Sequence, residues 1–183
     1  MHPLKHNKKI HHLVILSSAV IYFGIPISII YANTIHYVQE GALSSYHQLI
    51  QLAKTHAKHG KIYFFSTNSK CFPLVDYAEV ETASRFQCFW PLLNILHLHS
   101  LATPESQKLV KKQEKFFIQS VVEDMQRGKP TLVFIEPHIR WGININFNYI
   151  KYFSQSPEFR AIWKNYRYLT TIERIDVYER VAT

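Results

Sequence analysis

The apolar positions of this chain follow three patterns, and the first is a run with no period at all. From Ile10 to Gln39 there is no Asp, Glu, Lys or Arg, and inside it Leu13 to Ala32 is a 20-residue block interrupted only by Ser17, Ser18, Gly24, Pro26 and Ser28. At a rise of ~1.5 Å per residue such a block is ~30 Å long as a helix, the thickness of a bilayer's hydrocarbon core. The apolar core of a cleaved secretory signal is shorter, roughly 7–15 residues, and ends in small residues that Ile30-Tyr31-Ala32 matches poorly. A buried helix of a soluble core keeps a polar stripe, which is missing here. The block is therefore expected to span a membrane. Lys5, Lys8, Lys9 and four histidines precede it, whereas the next 20 residues carry only Glu40, so its N-terminal side is expected in the cytoplasm. The expected organisation is a basic leader at 1–12, a transmembrane helix at 13–32 and an extracytoplasmic domain at 33–183. That makes the chain a single-pass protein of the inner (cytoplasmic) membrane.

The second pattern has the helical period. In "EGALSSYHQLIQLAKTHAKH", Leu43, Tyr46, Leu49, Ile50 and Ala53 share a face and Gly60 follows as a stop. Thr103-Pro104-Glu105 supplies an N-cap, a first-turn proline and an acid at the positive end of the helix dipole. Leu109, Gln113, Phe116, Phe117, Val121 and Met125 continue along one face, and Gly128 and Pro130 end the helix. Ser156-Pro157-Glu158 repeats the start signal for a helix with Phe159, Ile162, Trp163 and Tyr166 on one face.

The third pattern is short and rich in β-branched and aromatic residues. "KIYFFST" (61–67) and "TLVFI" (131–135) predict buried strands, "NSKCFP" a loop between elements, and "YRYLTTIERIDVYERV" two strands joined by a tight turn near Glu173-Arg174. The first two strands are separated by a long crossover containing a helix, which predicts a parallel, right-handed pair. The terminal hairpin is expected to add antiparallel edges. The fold class is thus α/β, one N-terminal transmembrane helix followed by a small mixed-sheet α/β sandwich of about four strands.

Composition narrows the function classes. The 183 residues, 47% apolar and 14% aromatic, allow one span and one domain. The net charge of +8 raises a nucleic-acid partner, but three basic residues sit in the leader and the rest are offset by 13 acids, leaving about +5 without a basic stripe or a recognised motif. No nucleic acid is expected as a partner; a domain beside anionic headgroups carries the same balance. Cys71 and Cys88 leave two readings open, a single disulfide closed outside the cytoplasm or two unpaired thiols.

Chemistry-bearing motifs are few. The chain has no G-x-S-x-G, glycine-rich phosphate loop, H-E-x-x-H or C-x-x-C. His97-x-His99 and His56-x-x-His59 lack a neighbouring Cys or carboxylate at ligand spacing, so neither a metal nor a cofactor is expected. "CFPLVDYAEVETASRFQCFWPLLNIL" interleaves Asp76, Tyr77, Glu79, Glu81 and Arg85 with Phe72, Phe86, Phe89 and Trp90. Such a stretch either grips a sugar or a lipid-linked phosphate, with Arg85 as the bidentate phosphate contact, or forms an aromatic belt at headgroup depth with no ligand.

This stretch, followed by "VVEDMQRGKPTLVFIEP" and "NFNYIKYFSQSPEFRAIWKNYRYLTTIERIDVYER", resembles the C-terminal region of bacterial polytopic membrane glycosyltransferases of the GT-C architecture, relatives of the dolichyl-phosphate-mannose and aminoarabinose transferases. The matching residues include Pro73, Val75, Asp76, Tyr77, Ser84, Arg85, Phe86, Lys129, Pro130, Tyr152, Phe153, Pro157, Phe159, Trp163, Tyr166 and Leu169, within about Lys61 to Arg180. Members of that architecture have many spans and an acidic catalytic residue in an early outer loop. This chain has one expected span and no such loop, and it carries Asp76 where the pattern has Asn. The resemblance implies a truncated or split relative, not itself catalytic, with Arg85, Tyr77, Asp76 and Arg140 as ligand-binding candidates and no catalytic residue. The implied partners are the bilayer and either a membrane-protein partner or a polyprenyl-phosphate sugar. The alternative is an accessory subunit of a working membrane glycosyltransferase that contacts such a lipid-sugar through Arg85 and Arg140.

Overall fold

A computed structural model describes residues 42–68, 71–101, 103–139 and 145–181. The expected span at 13–32 lies outside these residues, as does Arg140. Among the described residues no helix is long and apolar enough to cross a membrane. From Ser45 onward the chain forms one compact unit.

The elements run α1 (Ala42–His56), β1 (Lys61–Phe65), α2 (Cys71–Ala78), β2 (Glu81–Thr82), α3 (Trp90–Leu101), α4 (Pro104–Gly128), β3 (Leu132–Ile135), β4 (His138–Ile139), β5 (Ile145–Asn146), α5 (Tyr149–Phe153), α6 (Pro157–Trp163), β6 (Tyr166–Ile172) and β7 (Ile175–Arg180). Among the described residues five strands make a mixed sheet in the order β2-β1-β3-β7-β6, and β4 and β5 form a separate two-stranded ribbon. β1 pairs in parallel with both β2 and β3, with Phe64 opposite Phe134 and Phe65 opposite Ile135. β7 runs antiparallel between β3 and β6.

The α/β class and the parallel β1–β3 pair therefore agree with the sequence, while two details differ. The sheet has five strands, because Glu81–Thr82 adds a two-residue edge too short to show alternation. The terminal hairpin is not wholly an edge. β7 occupies the interior beside β3, whose four residues are all buried and whose free side must be paired to satisfy its backbone groups.

Strand alternation sorts the core into two layers. Ile62, Leu132, Phe134 and Val177 point to one face, where Leu49, Ile50 and Ala53 of α1 and Leu74 and Ala78 of α2 cover them. Tyr63, Phe65, Val133 and Ile135 point to the other, beneath α3, α4, α5 and α6. That second layer is aromatic. Phe65 sits 5.1–6.4 Å from the rings of Tyr63, Phe89, Tyr149, Phe153, Phe159 and Trp163, within the range where tilted and edge-on pairs add to burial.

The start signals at Thr103 and Ser156 act as expected. Thr103 Oγ1 accepts the Ser106 amide at 3.1 Å while Ser106 Oγ accepts the Thr103 amide at 3.0 Å, a reciprocal box. Ser156 Oγ accepts the Phe159 amide at 3.2 Å. The expected loop at "NSKCFP" is corrected from its second half: α2 begins at Cys71 and takes Pro73 into its first turn, where a missing N–H costs nothing.

Candidate functional site at the carboxyl edge of the sheet

β1 and β3 are neighbours, yet the chain leaves their carboxyl ends toward opposite faces, from β1 to α2 on one side and from β3 through the β4–β5 ribbon to α5 and α6 on the other. Divergent connections open a crevice at the strand ends, the place where open α/β sheets collect ligands. Here the ends are polar. Ser66 and Thr67 are buried although they follow the last residue of β1. Ser66 Oγ donates to Glu136 Oε2 at 2.6 Å and accepts the Asn68 amide at 2.9 Å, and the Glu136 amide donates to Phe65 O at 3.0 Å. The Ser66–Glu136 bond thus ties the two parallel strands together one residue beyond their ladder.

On the far side of β3, toward β7, lies a crevice of about 270 Å³ lined by Ile135, Pro137, Asn146, Phe147, Asn148 and Asp176, with Tyr149 and Tyr178 beside them. Each polar group is aimed by a short bond. Asn148 Oδ1 caps α5 through the Lys151 amide at 2.8 Å, Asn146 Oδ1 lies 3.1 Å from His138 Nδ1, and Asp176 Oδ1 accepts Thr171 Oγ1 at 2.6 Å. The crevice offers amide donors, a carboxylate acceptor and the aromatic faces of Phe147 and Tyr178, without a lysine or arginine among its described lining residues. A hydroxyl both donates and accepts, so this set suits a neutral polyhydroxylated ring better than a phosphate.

The expected ligand residues are not brought together. Asp76 and Tyr77 lie on α2, on the α1 side of the sheet, with Tyr77 63% exposed. Arg85 lies toward the opposite face, against α4. Its Nε donates to Asp124 Oδ1 at 2.8 Å and its Nη2 to Glu123 Oε2 at 2.8 Å, while its own amide donates to Asp124 Oδ2 at 2.8 Å. Asp124 is fully buried and also accepts Arg127 Nη2 at 3.0 Å. The two carboxylates raise the Arg85 pKa further, and the Arg85 guanidinium holds the Glu123 carboxyl below its usual range. The donors that a phosphate would use are committed to the protein itself. Among the aromatics of the same stretch, Phe89 is buried in the core and Phe86 stacks edge-on over Phe117 at 5.4 Å, whereas Trp90 stays exposed.

Cys88 is a free, buried thiol whose pKa is raised by desolvation. Of the histidine pairs, His56 Nδ1 lies 3.0 Å from Glu179 and His99 Nε2 3.9 Å from Glu114. Ser66, Glu136, Asn146, Asn148 and Asp176 were not singled out by sequence. The signal available was positional: "ST-N" and "E-P" each follow a strand predicted to be parallel, and ligands gather at such ends. Compared with known protein families, curated proteins and solved structures, the chain matches none.

Proposed function

We propose that this chain is a membrane-anchored domain, not catalytic by itself, of the kind that ends the lipid-linked-sugar transferases it resembles, and that it holds the sugar of a polyprenyl-phosphate sugar beside the bilayer. The observation that carries this is the crevice between β3 and β7, where Asn146, Asn148 and Asp176 surround a space of about 270 Å³ walled by aromatic rings. That volume falls just under the ~300–1,000 Å³ of drug-sized sites, so it takes one small ring rather than an extended ligand. The uncharged block at 13–32 supplies the anchor.

The test is saturation-transfer NMR of the full chain in detergent against a panel of hexoses and N-acetylhexosamines. Transfer to ring protons of at least one sugar is expected. The double change Asn146→Ala and Asp176→Asn should abolish it with the circular dichroism spectrum unchanged. No transfer across the panel, or transfer indifferent to both changes, rejects the sugar role. Retention of the chain in carbonate-washed membranes tests the anchor separately.

A further inference from the structure

α3 and α4 form a hairpin whose outer side is unlike the rest of the surface. On α4 the exposed stripe of the first four turns opens with Glu105 and continues with Lys108, Leu109, Lys112, Lys115 and Phe116, spaced so that they share one side of the helix. On α3, Trp90, Asn94, His97 and Leu101 form the matching exposed stripe. Asn94 Nδ2 donates to Gln113 Oε1 at 2.7 Å across the joint, so the two stripes make one patch. A groove of about 480 Å³ runs between them, floored by Ile95 and Phe117 and edged by Leu109, Lys112 and Phe116. Phe116 is 63% and Trp90 57% exposed, large exposures for residues that normally take part in a core.

Apolar side chains set among lysines, with no acid on that stripe between Glu105 and Glu123, match the headgroup region of an anionic bilayer: phosphates for the ammonium groups and acyl chains for the rings. Glu114, the one acid within this stretch, turns away toward His99 and the half-buried Tyr152. We propose that the outer face of the α3–α4 hairpin is a docking surface for anionic phospholipid, with Trp90, Leu109 and Phe116 entering the interface and Lys108, Lys112 and Lys115 on the phosphates. The positive charge argues against a second copy of the same basic patch as occupant, since like charges would face one another. The proposal takes its setting from the membrane attachment proposed above, but the patch itself lies wholly in the described domain.

The experiment uses the full chain with Trp141→Phe and Trp163→Phe, so that Trp90 is the remaining tryptophan, mixed with vesicles of phosphatidylcholine alone or with phosphatidylglycerol, with and without brominated acyl chains. Bromine quenching of Trp90 is expected in phosphatidylglycerol vesicles at low salt. At 1 M salt, where the screening length is about 3 Å, it should fall to the level seen in phosphatidylcholine even with the chain still anchored, and each lysine of the three changed to glutamine should weaken docking of the face, read as this quenching, by about fivefold. Quenching that is absent, equal in both lipids, or indifferent to salt and to the lysines overturns the proposal. A Trp90 emission shift that follows protein concentration rather than lipid assigns the patch to self-association and also overturns it. Carbonate resistance reports the anchor alone. Its loss with Trp90 quenching intact removes the anchor and leaves the docking face standing, and the reverse result removes only the face.

Discussion

At Gly60 and Gly128 the absence of a side chain makes room, and the left-handed turn falls on a neighbour. His59 has φ 57 and Lys129 φ 44, whereas a Cβ at Gly60 would meet Thr131 Oγ1 at 2.6 Å and one at Gly128 would run into Ala83. The helix-stop signals in the sequence were therefore right about place and wrong about the residue that turns. Replacing Gly128 by Ala ought to stabilise the last turn by up to ~1 kcal/mol on helix propensity alone. The contact with Ala83 reverses the sign, and Gly128→Ala is expected to lower stability by about 1–3 kcal/mol, as overpacking does. Adding Ala83→Gly should recover part of that loss in urea denaturation. Arg85 gives the second residue-scale test. As a ligand contact it would be dispensable for folding, but as the partner of buried Asp124 it is not. Arg85→Ala is expected to cost about 1–3 kcal/mol, the range for leaving a buried polar group without its partner, with its partly exposed guanidinium and the surviving Arg127 contact favouring the low end.

Among the elements, α4 shows how far periodicity could be followed. The row Leu109, Gln113, Phe116, Phe117, Val121 and Met125 predicts the right helix, but the buried face is Val110, Phe117, Ile118, Val121, Val122 and Met125, with Leu109 and Phe116 outside. Two apolar stripes compete on this helix, and a count of apolar positions cannot say which one meets the sheet. Substitution can. Phe117→Ala is expected to cost about 3–5 kcal/mol by opening a core cavity, while Phe116→Ser should stay within about 0.5 kcal/mol of the parent in chemical denaturation. The same physics explains the missed elements. α3 is apolar on most sides, with Leu92, Leu93, Ile95, Leu96 and Leu98 in succession, so it shows no amphipathic period and reads as a belt. α2 opens through Cys71-Phe72-Pro73, where proline reads as a break although the first turn tolerates it. α1, the parallel pair, the start of α6 and the terminal hairpin were legible from helical period, the Ser156 cap and strand length, whereas Tyr166, read on the face of α6, lies beyond the helix and opens β6. The candidate site was not, since its residues come from strand ends far apart in sequence and join only once the sheet order is known.

For the molecule as a whole, several carboxylates are held ionised by their neighbours. Glu179 accepts from His56 and Arg167, Glu158 from Ser156, and Glu123 from Arg85, and each has a pKa lowered from an ordinary 4.5. A carboxyl depressed in the folded state stabilises the fold fully above its unfolded pKa and loses that contribution as pH falls through the folded value. The urea midpoint should therefore be level above about pH 5 and decline below pH 4.5. Glu179→Gln should flatten part of that decline. A profile that is flat down to pH 3 would show that these pairs do not report on folding.

The place of β7 in the sheet has a consequence for how the protein is made. β7 comes after every other described element in sequence, yet it lies between β3 and β6 and supplies the antiparallel partner of β3. A ribosome delivers Lys61 to Ile135 long before Ile175 to Arg180, at about 5–20 residues per second, and until β7 emerges β3 has an open flank. The nascent chain waits seconds for its keystone, and a stop codon placed before Ile175 would strand it with an unpaired, aggregation-prone edge.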